Sequence, residues 1–568
     1  MSKNLFVGVD GKARKAKELY VGVDGKARKI VKAYIGDENG KARPFWEKES
    51  TPITGSLEFV SDNSFTMSAT KLWDGTLEYN NGNGNGWTTW DGSEISSNAI
   101  DGRQRIYFRG SRNTIIRGYN ASSSNAWKIT GSNIECNGNI ECLLDYQKVS
   151  AGEHPEMAEF CYRYMFYGCS SLTTAPELPA TTLARYCYAN MFYNCSSLTA
   201  APELPATTLI VSCYDGMFGH CSSLTTAPAL PATTLAEYCY YMMFVGCSSL
   251  TTAPELPATT LEKWCYDSMF NGCSSLTTAP ELPATTLADN CYDSMFSGCS
   301  SLTTAPALPI TTLVSHCYAY MFQSCTSLTA APELPATELV EYCYTSMFRN
   351  CSSLTTAPQL PATTLATGCY DSMFYGCKKL ITPPVLPATT LARYCYAYMF
   401  QNCKSLTAAP ELPATTLADS CYFKMFSGCS SLTTAPELPA TVLADDCYRE
   451  MFSYDNKLIT PPVLPATTLT ANCYYGMFYE CHYIKPLALP ATVLANNCYR
   501  NMFRNTLIKL SSTQSEEYPT AYRVPITGEG TDATDALSNM FPANGNLFTG
   551  TPTINTTYYL HKDYSIIS

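Results

Sequence analysis

The chain has no apolar run approaching the ~20 residues needed to cross a bilayer, so membrane insertion is not expected. Charged residues are scarce too, at 15% of 568 against 46% hydrophobic ones, which excludes a disordered polyelectrolyte. Only five histidines occur (His154, His220, His316, His482 and His561), and no two have the spacing of a metal pair or a catalytic triad. No phosphate-binding loop, nucleophile elbow or zinc-protease helix motif is present. The expectation is therefore a chain without catalytic residues, metal or cofactor. A net charge of −11 argues against nucleic acid as a partner. The opening Met1-Ser-Lys-Asn-Leu-Phe lacks the apolar core of a secretory signal. Any release is accordingly expected by lysis, by another route, or from a precursor whose signal has been removed.

What the chain does have is a repeat, the feature that decides a fold before any other. Cys-Tyr-x-x-Met-Phe begins at Cys161 and recurs every 26 residues through Cys473, then after 25 at Cys498; Met540-Phe541 is a degenerate further copy. In a typical unit, Ser171 to Ala175 is a strand-like run with two β-branched threonines. Pro176 ends it and Pro179 holds a corner. Leu183, Cys187, Tyr188, Met191, Phe192 and Cys195 then follow at helical spacing. Thr234/Glu237, Thr286/Asp289 and Thr416/Asp419 look like capping boxes for that helix. The spacing thus predicts one short strand and one short helix per repeat.

Such a unit cannot fold alone. Five or six buried apolar side chains supply ~1.5–3 kcal/mol each, against ~1–2 kcal/mol per residue to order 26 backbones. Stacking is required, which makes the fold a repeat solenoid. Strands ~4.8 Å apart beside helices ~8–10 Å apart would bend it into an arc with the strands inside.

The 28 cysteines fall into fourteen Cys-Tyr positions, twelve at the second repeat position, and Cys136 and Cys142 upstream. Cys187 and Cys195 would lie ~12 Å apart along a helix, too far for a disulfide. Helix packing separates equivalent cysteines as well, and zinc-type Cys pairs are missing. Buried thiols serving as small hydrophobes are the reading that remains, and Asp455, standing where a second cysteine would fall, fits it. Cys136 and Cys142 could bridge across their Asn-Gly turn or stay free.

The phrase Met165-Phe166…Cys169…Leu172, seen again as Met373-Phe374…Cys377…Leu380, resembles the BspA-like leucine-rich-repeat surface proteins, whose repeats carry a Phe-x-x-Cys-x-x-Leu core. The resemblance spans roughly residues 155–510. It implies an adhesin or a surface or virion protein that binds a host, a matrix or other cells. The proline-rich LTTAPELPATT stretch and the added Cys-Tyr turn depart from that pattern and leave the partner open.

Four regions are expected. Residues 1–50 carry 12 basic and 7 acidic groups, a net +5, leaving 25 against 41, a net −16, for the rest. They hold short repeats built on Asp-Gly and Asn-Gly, the signature of tight hairpins. They resemble the N-terminal GKAR repeats of phage structural proteins. That resemblance implies attachment to other virion proteins, with Tyr20, Lys26, Arg28, Tyr34 and Trp46 as candidates, and homo-oligomerisation with a trimer favoured; a basic solvated arm is the plain alternative. Residues 51–150 read as a small β-domain capping the array through Ile140 to Tyr146. There Trp87 and Trp90 are candidates for stacking on a sugar, although such tryptophans more often form the core of a small β-domain. Residues 151–505 form the array and 506–568 a β-like C-terminal cap.

Function is expected on the face opposite Leu183, Cys187 and Met191. Tyr186, Tyr238, Tyr241, Trp264, Tyr320, Tyr342, Tyr394 and Tyr398 are the binding candidates there, because Tyr, Asp, Asn, Ser and Gly crowd positions where drift would favour Lys, Glu and Gln. The expected function is non-enzymatic: a phage fibre or receptor-binding protein on the virion surface, gripping a host cell-surface glycan or protein. A structural spacer or decoration protein and an extracellular bacterial adhesin are the alternatives.

Overall fold

The computed structural model describes residues 55–525, 533–542 and 550–564, together with the backbone of six short strands between residues 6 and 47. Those strands pair as three antiparallel hairpins: Phe6–Val9 with Lys12–Lys15, Leu19–Val23 with Lys26–Ile30, and Lys32–Gly36 with Ala42–Glu47. Two residues, Asp10-Gly11 and Asp24-Gly25, separate the strands of the first two, as the turn signature requires. The side chains of Tyr20, Lys26, Arg28, Tyr34 and Trp46 lie outside the described residues.

A mixed β-domain follows. Its sheet runs β2 (Thr76–Asn80), β3 (Arg103–Ser111), β1 (Leu57–Ser61) and β4 (Ile134–Asn137), and β4 pairs in parallel with β5 (Leu172–Thr174) of the first repeat. Trp73, Trp90, Phe108 and Trp127 fill its core. The domain also closes the open end of the array. The rings of Phe59 and Trp127 abut Phe166 at 6.0 and 6.1 Å, and the Trp127 N–H donates to the Met165 carbonyl. The cap is thus wider than the expected Ile140–Tyr146 segment, although that segment takes part through the bond from the Tyr162 hydroxyl to the Ile140 carbonyl.

The repeats are not built as expected. Among the described residues the only helices are Cys142–Ser150, broken at Asp145, and the 3-10 turn Ser123–Asn125. No repeat contains a helix, and only the first contains a strand; later ones meet through isolated parallel bridges such as Ala200 to Thr226 to Thr252 to Thr278. Where the helix was expected, the chain runs through consecutive tight turns. The N–H groups of Cys187, Ala189, Met191, Tyr193 and Cys195 each donate three residues back, at 3.0–3.3 Å. Those of Tyr186, Tyr188, Asn190, Phe192 and Asn194 donate to Val211, Cys213, Asp215, Met217 and Gly219 of the next coil, at 2.7–3.2 Å. Alternate amides therefore close the turns and join the coils.

Every second turn has a positive φ at its third residue: 56° at Tyr186, 55° at Asn190 and 61° at Asn194. This is the demand of a type II turn. Side chains from successive turns recur every four residues, close enough to 3.6 to imitate a helix.

The apolar set faces inward. Cys187, Tyr188, Met191, Phe192, Cys195, Leu198, Leu204, Ala206 and Leu209 are all buried, and the same positions are buried from coil to coil. Identical side chains stack in columns. Consecutive Tyr rings from Tyr162 to Tyr499 lie 5.5–6.0 Å apart. The Phe column continues through Phe503 to Phe541 at 5.3 Å, which makes Met540-Phe541 a true final coil. Columns at this spacing lie much closer to bridged strands ~4.8 Å apart than helices packed ~8–10 Å apart would, so the mismatch behind the expected arc is largely removed. Strands Leu510–Ser511, Thr520–Arg523 and Thr557–Leu560 form a small sheet beside the last coil, and the Tyr522 ring meets Phe541 edge-on.

All 28 cysteines are free and buried, Cys136 and Cys142 included. The second-position thiols do more than fill space. Cys195, Cys221, Cys247 and their successors each donate to a phenylalanine carbonyl of the preceding coil: Cys221 Sγ to Phe192 O at 3.1 Å, Cys247 to Phe218 at 3.0 Å, Cys273 to Phe244 at 3.1 Å. A small apolar residue could not make that bond.

Candidate functional site

The turn side of each coil presents three columns of left-handed residues. One precedes Cys-Tyr (Tyr186, Ser212, Tyr238, Trp264, Asn290, His316, Tyr342, Gly368, Tyr394), one precedes Met-Phe (Asn190, Gly216, Ser268, Tyr320, Tyr398) and one precedes the second cysteine (Asn194, Gly246, Asn350). Gly and Asn adopt this backbone at little cost and Ser tolerates it less well, whereas bulky residues there are outliers. Much of the Gly, Asn and Ser enrichment that suggested a recognition palette is thus a backbone requirement. The aromatic residues are the reverse case, since the backbone disfavours them.

In the column before Cys-Tyr, adjacent rings stack. Phe160 lies on Tyr186 at 4.9 Å, Tyr238 on Trp264 at 4.8 Å and His316 on Tyr342 at 5.0 Å. Arg163 sits over Phe160 and Tyr186, and the Arg393 guanidinium lies 4.8 Å from the Tyr394 ring. Tyr241 meets Tyr238 edge-on at 5.6 Å, and Tyr398 meets Phe423 at 4.9 Å. Tyr186, Tyr238, Tyr241, Trp264, Tyr320, Tyr342, Tyr394 and Tyr398 are all half-buried, so the structure gathers the eight tyrosine and tryptophan candidates on one side of the array.

The tryptophans upstream divide. Trp90 is 1% exposed, stacked on Trp73 with its Nε1–H on the Ser93 carbonyl, and cannot serve as a sugar platform. Trp87 is half-buried beneath the Arg109 guanidinium, which Tyr146 covers from another side.

Aspartates outside the named binding candidates stand beside the rings: Asp215, Asp267, Asp293 and Asp371, none with a salt bridge among the described residues. The serine following three of them donates its hydroxyl at 2.7 Å. Burial pushes Asp215 and Asp267 up to about 7 and Asp371 to about 6; Asp293 rises for the same reason. For three of them the signal was available in the sequence as an aspartate three residues after Ser212, Asn290 or Gly368; Asp267 follows Trp264 instead. Burial also pushes the Tyr241 phenol up to about 12.

On the proline side, a groove of about 330 Å³ lies beside Leu282, Pro283, Ala305 and Pro309, where Ile310 replaces the usual buried alanine. Its lining is apolar apart from Glu281 and a few threonine hydroxyls. Among the described residues no group of His, Cys, Asp and Glu could hold a metal, and no helix is long and apolar enough to cross a membrane.

The sequence of the array matches a family model. The model of the BspA-type leucine-rich repeat region matches residues 146–277, 242–381 and 391–518. The chain belongs to that family. Such repeats point to a surface or adhesion-type protein and are typically non-enzymatic. No curated protein matches the chain. Among solved structures, a toll-like receptor 13 complex with single-stranded RNA shares 14% identity over 62% of this chain and 45% of that one, with a TM-score of 0.19. That superposition carries no argument about fold or ligand.

Proposed function

We propose that the chain is a non-enzymatic adhesin or receptor-binding protein displayed on a virion surface, with the aromatic turn face as its contact surface. One observation carries this reading. Tyr186, Tyr238, Trp264, Tyr342 and Tyr394 keep φ values of 53–57°, where neighbouring coils place Ser, Asn or Gly. A large ring there works against its own backbone by ~1–2 kcal/mol, and folding alone would favour the smaller residues. Partly exposed tyrosine and tryptophan bring contact area with little side-chain entropy to lose.

On this reading the partner is a cell-surface glycan or protein of the host. The basic hairpins of residues 1–50 join the chain to other virion proteins and to its own copies, a trimer being favoured. The test is adhesion of purified protein to host cells. Changing Tyr186, Tyr238 and Tyr394 to Ala should abolish it, and unchanged adhesion would sink the proposal. The spacer reading draws on the uniformity of the coils, and it requires that deletion of two whole repeats leave attachment intact.

A further inference from the structure

The column before Cys-Tyr has a period longer than one coil. Phe160, Tyr238, His316 and Tyr394 are spaced by 78 residues, three coils, and Tyr186, Trp264 and Tyr342 follow them at the same spacing. Between the stacked pairs stands one small residue each time: Ser212, Asn290 and Gly368, again 78 apart. Each gap is bounded by rings on the coils to either side, Tyr186 and Tyr238, Trp264 and His316, Tyr342 and Tyr394. Neighbouring rings of this column repeat at 4.8–5.0 Å, so two steps separate the walls of a gap by about 10 Å. One ring inserted midway would meet both walls at the spacing the protein uses for its own stacks, within the usual 4.5–7 Å for such pairs.

Each gap has the same second feature. Three residues after its floor stands an aspartate: Asp215 after Ser212, Asp293 after Asn290 and Asp371 after Gly368. The Asn290 amide reaches the Asp293 carboxylate at 3.4 Å. The wall explains the small floor. A Cβ on Gly368 would come within 2.4 Å of the Tyr342 ring, which leans across that floor.

We infer that Ser212, Asn290 and Gly368 mark three equivalent slots for ring-shaped units of one polymer, and that the polymer is a polysaccharide. The inference rests on the turn face being the contact surface and names what that face takes. A pyranose ring has apolar faces for the aromatic walls and hydroxyls for the aspartate carboxylates. The slots recur every three coils, about 15 Å at the column's own step. A hexopyranose advances a chain by close to one coil step, so this period suits a repeating unit of three sugars. Occupying several slots with one chain multiplies affinity without new contacts.

The experiment uses the full chain and a panel of purified bacterial O-antigen and capsular polysaccharides, with dextran as control. Trp264 is a slot wall, and its fluorescence reports occupancy. At least one repeating-unit polysaccharide should bind saturably. Asn290→Tyr, which supplies the missing ring from within, should weaken binding at least tenfold, and Ser212→Tyr with Asn290→Tyr should abolish it. Trp264→Ala, read by calorimetry, should weaken it while leaving the floor untouched. Thermal unfolding of each variant confirms that the array is intact. Equal binding by filled and parental chains overturns the inference. Filled variants that still adhere to cells overturn the slots but leave the adhesin reading standing. Adhesion lost on filling yet unaffected by periodate treatment of the cells makes the occupant a protein and also overturns it. A parental chain that binds polysaccharide but no cells upholds the slots and removes the adhesin reading.

Discussion

Asp455 occupies the place at which Cys429 and Cys481, one coil to either side, donate thiol hydrogens to Phe400 and Phe452. It is fully buried, and neither carboxyl oxygen has a hydrogen-bond partner. Its counterpart acceptor would be the Phe426 carbonyl, which a carboxylate cannot serve and a protonated carboxyl can. Burial holds the Asp455 carboxyl well above the usual carboxylate range; the N–H groups of Cys429 and Gly428 nearby pull the other way but spend their hydrogen bonds on the Phe426 and Ser453 carbonyls. Asp455→Cys should restore the column and raise the unfolding temperature by several degrees at pH 8, measured by circular dichroism, with a smaller gain at pH 5. An equal gain at both values would contradict a titrating carboxyl.

Stability should also fall as pH rises. A carboxyl whose folded pKa lies above its unfolded value binds more protons in the native state, so its contribution is full below about 4 and is lost on the way up. Asp215 and Asp267, each pushed up to about 7, and Asp371, pushed to about 6, place that decline between pH 4 and 7. Urea midpoints across this window should drop for the parental chain. They should drop less for Asp215→Asn combined with Asp267→Asn.

Removing one thiol donor should cost more than its volume. Cys273→Ala deletes the bond to the Phe244 carbonyl and leaves a small void, together ~1–3 kcal/mol. Calorimetry should register the loss, and Cys273→Ser should recover part of it.

Native thiols should be inert. Burial pushes Cys247, Cys273 and their neighbours upward, Cys247 to about 12, and the thiolate is the reactive form. A thiol reagent should find almost none of the 28 in the folded chain and all of them in guanidinium. Rapid labelling without denaturant would contradict the buried columns.

The left-handed positions should discriminate by residue type. Ser324→Gly, at φ 60°, should raise stability by up to ~1 kcal/mol, whereas Asn402→Val, at φ 62°, should lower it by ~1–2 kcal/mol. Denaturant melts of the two variants should move in opposite directions.

The solenoid, the register of the coils and the inward set were legible because Cys-Tyr-x-x-Met-Phe keeps its frame from Cys161 to Phe478 and slips by one residue only at Cys498. The local backbone was misread for a definable reason. Cys187, Tyr188, Met191, Phe192 and Cys195 recur every four residues whether they sit on a helix or on paired turns. The discriminating signal lay in the other residues: Gly, Asn and Ser at positions such as 190, 194, 246 and 294, which a helix interior disfavours. The thiol-to-carbonyl bonds were hidden because they join residues 29 apart, across coils whose spacing depended on the mistaken helix. The aromatic face was legible residue by residue. Its 78-residue period and its aspartates are written in the sequence as well, but what they bring together is seen only once the coils are stacked.

Each coil docks on the next through the same alternate amides that join Tyr188 to Cys213 and Phe192 to Met217. These backbone joints are therefore interchangeable, and a block of three coils carries the aromatic period with it. Unequal exchange between the tandem gene copies encoding them can add or drop coils without leaving a seam, so length becomes a heritable variable that selection can adjust while the architecture stays fixed.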